Sequence, residues 1–182
     1  SFKEPVTSLR YLAIKMKEHV RRLEVLMKNY HDMIIRIAIA NVKNKDDAED
    51  ILQEVAVRYL KALPEFRSME HEKAWFIRTT INLCYDFVKT AWNKRTTGLD
   101  ECAAVYSQLV QLPFFYDKNQ DRTLEKVLEL PLIYRNPIYL FYYEDYSIRE
   151  IAEAVGENEN TIKTRLRRGR EKLKQLLVAQ IC

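Results

Sequence analysis

Residues 146–156 read Tyr-Ser-Ile-Arg-Glu-Ile-Ala-Glu-Ala-Val-Gly, and residues 160–173 read Asn-Thr-Ile-Lys-Thr-Arg-Leu-Arg-Arg-Gly-Arg-Glu-Lys-Leu. Ser147 and Glu150 have capping-box spacing, in which hydroxyl and carboxylate each satisfy a free backbone N–H at a helix start. Ile151, Ala152 and Val155 then share one face, and Gly156 stands where a helix ends in left-handed geometry. Asn158 is placed to cap a long final helix running to about Val178. A short helix, a glycine turn and a longer basic helix make a helix-turn-helix. Small Ala152 permits close approach, while Ile151, Val155, Ile162 and Leu166 lock the pair. The outer side of the second helix carries Lys163, Thr164, Arg167 and Arg168, whose polar groups suit phosphate oxygens and base edges in a major groove. The helix dipole alone also favours bases near a helix end. Capping box, small residue, glycine turn and one-sided basic run occurring together favour the groove reader.

The rest of the chain agrees with a helical protein. Of 182 residues only three are Gly and five Pro, while 47% are apolar and 31% charged. That profile argues against a sandwich, a barrel or a disordered chain. No apolar run approaches the ~20 residues needed to cross a bilayer, and no signal core follows Ser1, so a cytoplasmic protein is expected. The formal net charge of +4 is too mild to mark a polyanion binder. Its distribution says more. Asp46, Asp47, Glu49, Asp50 and Glu54 stand together without a base, whereas 161–174 hold seven bases against Glu171. Cys84, Cys102 and Cys182 lack metal or redox spacing and read as free thiols. His19, His31 and His71 form no ligand pair, and no metal, cofactor or catalytic residue is implied.

Residues 6–93 read as successive helices. Thr7 is a candidate cap for a helix to about Met27; Met33–Ala40 forms a second apolar stretch that breaks near Asn44. Asp46 or Asp47 opens the next helix, with Ala48, Ile51, Leu52, Val55, Tyr59, Ala62 and Leu63 at helical spacing, and Pro64 ends it. Ser68 is the expected cap of a helix over about 70–93, whose core stripe is Ile77, Ile81, Cys84, Tyr85, Val88 and Trp92. Another face of it shows Arg78, Asn82, Asp86, Lys89 and Asn93, which by itself reads as an ordinary solvated face. Residues 96–121 have turn chemistry and read as a linker, with Phe114-Phe115-Tyr116 expected to pack on a neighbouring helix. Leu124–Leu130 is a short helix stopped by Pro131, and Asn136-Pro137 reads as a cap followed by a first helical proline.

The stretch 143–177 resembles the C-terminal promoter-reading domain of bacterial sigma factors, in particular the small extracytoplasmic-function (ECF) group. The first half resembles the same group's core-binding and promoter-melting domain, through Asp47-Ala-Glu-Asp-Ile-Leu-Gln-Glu-Val55, Ala62-Leu-Pro-Glu-Phe66 and Trp75-Phe-Ile-Arg-Thr-Thr-Ile-Asn82. The resemblance implies an all-α protein of two small helical domains joined by a linker, the C-terminal one containing the helix-turn-helix. The expected division is 1–22 as an N-terminal helical extension, 23–95 as the core-binding and −10 melting domain, 96–121 as linker and 122–182 as the −35 domain. It implies that Asp50, Gln53 and Glu54 dock on the clamp helices of the largest RNA polymerase subunit. It further implies that Arg78, Asn82 and Lys89 meet −10 DNA, with Lys94 and Arg95 near phosphates and residues 66–72 as the base-capture loop. Trp75 suits base stacking, but core packing is its expected role. Lys163, Thr164, Arg167 and Arg168 are the implied −35 readers, with Arg165 on phosphate. The implied partners are core RNA polymerase, promoter DNA and an anti-sigma protein, with no membrane insertion, no cofactor and no enzymatic activity. A stand-alone helix-turn-helix regulator and an all-helical adaptor are the alternatives.

Three departures stand out. Glu157 replaces an apolar residue after the turn glycine, Asp86 puts a carboxylate on a DNA-facing surface, and 1–22 extends beyond the minimal domain. Each half holds only ~60–75 residues, a marginal size for independent folding, so the halves are expected to move relative to one another in the free protein.

Overall fold

The computed structural model describes residues 4–92 and 122–179. Among them are seven helices: α1 Glu4–Val42, α2 Lys45–Ala62, α3 Met69–Trp92, α4 Arg122–Glu129, α5 Leu132–Tyr142, α6 Ile148–Val155 and α7 Glu159–Val178. The expected linker, together with Phe114–Tyr116, Lys94, Arg95, Cys102 and Cys182, lies outside the described residues.

The break expected between Met27 and Met33 does not occur. Residues 28–32 contain neither Gly nor Pro, and the apolar stripe passes through them from Leu23 and Leu26 to Tyr30, Ile34 and Ile37. Nothing interrupts the hydrogen-bond ladder, so α1 is one 39-residue helix, about 58 Å long at 1.5 Å per residue. The 22/23 boundary therefore falls inside a continuous helix. Lys43, with φ of 60°, ends α1, and Asn44 rather than Asp46 or Asp47 caps α2, its Oδ1 accepting from Asp47 N at 3.1 Å. Asp46 and Asp47 occupy the first turn, where the dipole favours them. Leu63 turns left-handed and Pro64 follows. Ser68 Oγ accepts from His71 N at 3.2 Å at the start of α3.

The core of the first half lies between α1, α2 and α3. Ile34, Ile37, Ile39, Val55, Tyr59, Phe76 and Cys84 have no exposed surface; each large apolar side chain there contributes about 1.5–3 kcal/mol by burial. Trp75 packs edge-on against Tyr59 and Phe76, with centroids 6.0 and 5.1 Å away, so it serves the core as expected. Tyr85 does not belong to the core stripe of α3, being 38% exposed, and Phe76, Thr80 and Leu83 are buried instead. α3 packs against α1, α2 and α6, and three neighbours need a wider buried face than one stripe. Burial pushes the Cys84 thiol up to about 12, which keeps it protonated and unreactive.

In the second half, α5 begins at Leu132 behind Pro131, so Asn136 and Pro137 are helix-interior residues and not its cap. Proline here removes one backbone bond, to the carbonyl of Ile133, a residue 43% exposed where water can substitute. Asn136 is held inside because its Oδ1 accepts from Asn41 Nδ2 of α1 at 2.9 Å.

That bond belongs to a set joining the two halves. Arg135 is buried and donates from Nη1 to the carbonyls of Ala40 and Asn41 at 3.1 and 3.3 Å, and from Nε to Leu130 O at 3.0 Å. A cation thus closes the C-terminus of α1, whose last carbonyls lack intrahelical partners. Arg36 grips Glu144 with two bonds of 2.7 and 2.8 Å. Tyr146 OH lies 3.2 Å from Met33 Sδ, and the Lys73 ammonium sits 4.1 Å from the centre of the Tyr146 ring. The halves therefore pack against each other through buried and part-buried polar contacts.

Candidate nucleic-acid and polymerase interfaces

Three polar surfaces lie on three different helices. On α2 the buried face is Ala48, Ile51, Val55 and Tyr59. Asp50, Gln53 and Glu54 project from the other side; Asp50 and Gln53 are exposed, and Glu54 is partly exposed with Arg58 Nε at 3.5 Å. Val57, 39% exposed, shares this face at i+7 from Asp50, and Leu60, also 39% exposed, borders it. Exposed apolar residues beside carboxylates suit a protein-docking surface. Sequence reasoning missed Val57 and Leu60. The signal was present, since an apolar residue four positions after Gln53 falls outside the buried stripe.

On α3, Arg78, Asn82, Asp86 and Lys89 are all exposed along one face. Arg78 is engaged by the other half: its Nε donates to Ala154 O at 3.1 Å and its Nη2 to Glu153 O, at the C-terminal end of α6. Asp86 faces Arg58 across 3.9 Å, so the carboxylate that seemed out of place on a DNA-facing side has a cationic neighbour from α2. In the candidate capture loop, Phe66 packs into the aromatic cluster, with its centroid 6.1 Å from Trp75, while Arg67, Ser68 and Met69 are exposed.

The helix-turn-helix forms as its sequence specifies. Ser147 Oγ accepts from Glu150 N at 3.2 Å, and Ser147 N donates to Glu150 Oε2 at 2.8 Å. Ser147 Oγ also donates to Glu150 Oε2 at 2.7 Å, and this bond together with that from Ser147 N holds the Glu150 carboxyl below the usual carboxylate range. Gly156 has φ of 72°, and Asn158 Oδ1 accepts from Thr161 N at 2.8 Å. Ile151, Ala152, Ile162 and Leu166 are buried as expected, Val155 is only partly buried, and Ala154 is buried as well. Lys163, Arg167 and Arg168 are exposed and Thr164 partly so. Lys163 stands 4.0 Å from Glu159, and Arg167 bonds Glu171 at 2.9 Å; exposed pairs of this kind are weak and leave both cations available to DNA. Glu157 turns outward and bonds Arg165 at 2.6 Å, so the departure after the turn glycine costs no packing and restrains one cation. An open cleft of about 490 Å³ beside α7 is lined by Asn160, Thr161, Thr164, Arg165 and Arg168 together with Ile133 and Tyr134 of α5. Asn160 was not singled out from sequence, although 160, 164 and 168 repeat at i+4.

A Cβ added at Gly156 would lie 3.5 Å from Arg78 Nη2, at a φ that L side chains resist. Gly156→Val is therefore expected to destabilise the fold by about 1–3 kcal/mol, read as a lowered urea midpoint with an unchanged slope. An unchanged midpoint would contradict the turn geometry.

The chain matches the family description "Sigma-70 region 2" over residues 26–94 and "Sigma-70, region 4" over residues 120–173. It is 33% identical over 156 residues to the RNA polymerase sigma factor SigV of Bacillus subtilis (strain 168), covering 85% of this chain and 91% of that one. The chain belongs to the sigma-70 family. It is also 32% identical over 160 residues to the ECF RNA polymerase sigma factor SigW of Bacillus subtilis (strain 168), covering 81% of this chain and 84% of the relative. In fold it is similar to the sigma factor RpoE crystallised with the anti-sigma factor NepR from Bartonella quintana, with a TM-score of 0.61, 20% identity and coverage of 88% and 97%. It is similar too to CnrH in complex with the cytosolic domain of CnrY, with a TM-score of 0.60, 24% identity and coverage of 92% and 94%. This sigma factor is thus of the ECF group and acts in transcription initiation, with core RNA polymerase and promoter DNA as its partners.

Proposed function

We propose a division of labour among the three surfaces of this sigma factor. Asp50, Gln53 and Glu54, with Val57 one turn further along the same face, dock on the clamp helices of the largest polymerase subunit. Arg78, Asn82 and Lys89 hold the −10 region, and Lys163, Thr164, Arg167 and Arg168 read the −35 element, with Arg165 on phosphate. The observation that carries this reading is charge placement: an acidic face with exposed apolar residues beside it on α2, and an unburied basic face on α7. Opposite charge on separate helices suits two partners of opposite sign, a basic protein surface and a polyanion. The domain division into 23–95 and 122–182 follows the same logic, each surface belonging to one half.

Specificity comes from groove contacts and strand capture, and polymerisation is left to the partner, so no covalent chemistry is assigned to this chain. Among the described residues no helix is long and apolar enough to cross a membrane, and its place of action is with polymerase in the cytoplasm. An anti-sigma protein is the expected antagonist. The two fold neighbours were each solved with another protein, NepR or CnrY, and NepR is named an anti-sigma factor.

Arg78 links the −10 role to the packing of the halves. Its guanidinium is held by carbonyls of α6, and the same group cannot meet a DNA phosphate until α6 withdraws. Permanganate reactivity of thymines near −10, measured with reconstituted holoenzyme on a fixed promoter, tests the assignment. Asn82→Ala with Lys89→Ala is expected to reduce reactivity about tenfold or more while −35 protection persists; each lost contact is worth about 1 kcal/mol. Equal loss of −35 protection would remove these residues from the −10 role.

A further inference from the structure

The N-terminal half of α1 carries an apolar seam that the described fold does not cover. Positions 9, 12, 16, 23, 26, 30, 33 and 37 are apolar and follow a 3–4 repeat on one side of the helix, broken only at His19, with Val20 beside it. From Leu23 onward α2 and α3 bury that seam: Leu23 is 9% exposed, Leu26 4% and Ile37 0%. Below it the same seam is open, with Leu9 67%, Leu12 52%, Met16 62% and Val20 41% exposed. The helix therefore continues an established packing surface past the end of the elements that fill it. Single exposed apolar residues are ordinary, but a contiguous row in register with a core marks a contact surface.

Charge indicates what covers it. Residues 8–22 carry Arg10, Lys15, Lys17, Arg21 and Arg22 against a single acid, Glu18. Lys15 and Arg22 flank the seam on one side and Ala13 and Val20 on the other, Arg10 and Lys17 lie a step further round, and Glu18 lies opposite it. Arg22 reaches Glu72 at 3.7 Å; Arg10, Lys15 and Lys17 form no ion pair with a described carboxylate. A second copy of this helix would set these cations against their own kind, which disfavours a dimer.

We propose that Leu9, Leu12, Met16 and Val20 form a docking seam for one helix of a partner protein, with apolar residues at heptad spacing and flanking Asp or Glu. The partner helix extends the α1–α2–α3 bundle by about three turns, and its carboxylates meet Lys15 and Arg22. This contact is separate from the clamp, −10 and −35 surfaces and stands whether or not those assignments hold.

The test uses the full chain and a fluorescein-labelled 21-residue peptide with Leu at every a and d position and Glu at every e and g position. The Glu residues also keep the peptide from pairing with itself. Anisotropy is expected to show saturable binding, at least tenfold tighter than that of the same peptide with Lys at e and g, and weakened by salt. Leu12→Asp with Met16→Asp is expected to weaken binding at least tenfold while thermal unfolding stays in place, because both side chains are exposed. Absence of binding, or equal binding of the Lys peptide, overturns the proposal. So does a concentration-dependent dimer in sedimentation that the Asp variant abolishes, which would make a second copy the occupant. Variant-sensitive partition onto phosphatidylglycerol vesicles would make it a lipid surface. Tighter peptide binding after replacing 99–116 with Gly and Ser would make it this chain's own linker.

Discussion

Asp50→Lys with Glu54→Lys is expected to abolish assembly with core polymerase and leave the folded protein intact. Asp50 is exposed, and among the described residues Glu54 engages Arg58 of its own helix at 3.5 Å. Exposed helical substitutions of this kind change stability by only about 0.5 kcal/mol. At the docking surface the same changes turn two attractive charges into repulsive ones. Two charge pairs are worth about 3 kcal/mol or more together, which is over a hundredfold in Kd. Lys163→Ala with Arg167→Ala should produce the converse pattern, because Glu159 and Glu171 hold those cations only loosely on the surface. Core binding should persist, while promoter binding by the holoenzyme falls about tenfold or more and its log–log salt slope flattens by about two. If both double variants lost the same step while remaining folded, the assignment of separate surfaces would be wrong.

Arg36→Ala is expected to have the largest effect on stability. Arg36 and Glu144 side chains are 18% and 6% exposed, and they join α1 to the turn before the helix-turn-helix. The doubly bonded carboxylate raises the Arg36 guanidinium further above its already high value, so Arg36 stays charged throughout the accessible range. Removing the arginine leaves Glu144 buried without its cation, which costs about 3–5 kcal/mol. Urea unfolding should then start in the second half, and two probes, one in each half, should no longer report coincident transitions. Glu144→Gln keeps the shape and one acceptor and should cost less. A coincident, unshifted transition for Arg36→Ala would show that this pair does not hold the halves together.

The parts legible in the sequence are those whose physics is local. Ser147, Glu150, Gly156 and Asn158 each satisfy a helix end within a few residues, and all take the expected roles. The α2 stripe and the exposed sides of α2, α3 and α7 also follow from spacing alone. Asn136-Pro137 misled because a local turn signal was outweighed by tertiary structure: Asn136 is bonded to Asn41, 95 residues away. The continuity of α1 was hidden by polar residues at 28, 29, 31 and 32, which sit on its outer side and break nothing. Capture of Arg78 by α6 carbonyls had no sequence signal at all, since any backbone carbonyl at a helix end offers the same acceptor. Arg78 read from sequence as a free cation on a polar face, and only the packing of the halves shows it engaged.

The central claim is that this one chain supplies both polymerase docking and promoter choice. Run-off transcription on a pool of random promoter sequences, with purified core polymerase in the presence and absence of the chain, tests it most directly. The account predicts chain-dependent transcripts whose templates share a pair of motifs at constant separation, lost with Lys163→Ala and Arg167→Ala. Tight duplex binding by the chain alone, with no core binding and no chain-dependent transcript, would contradict it.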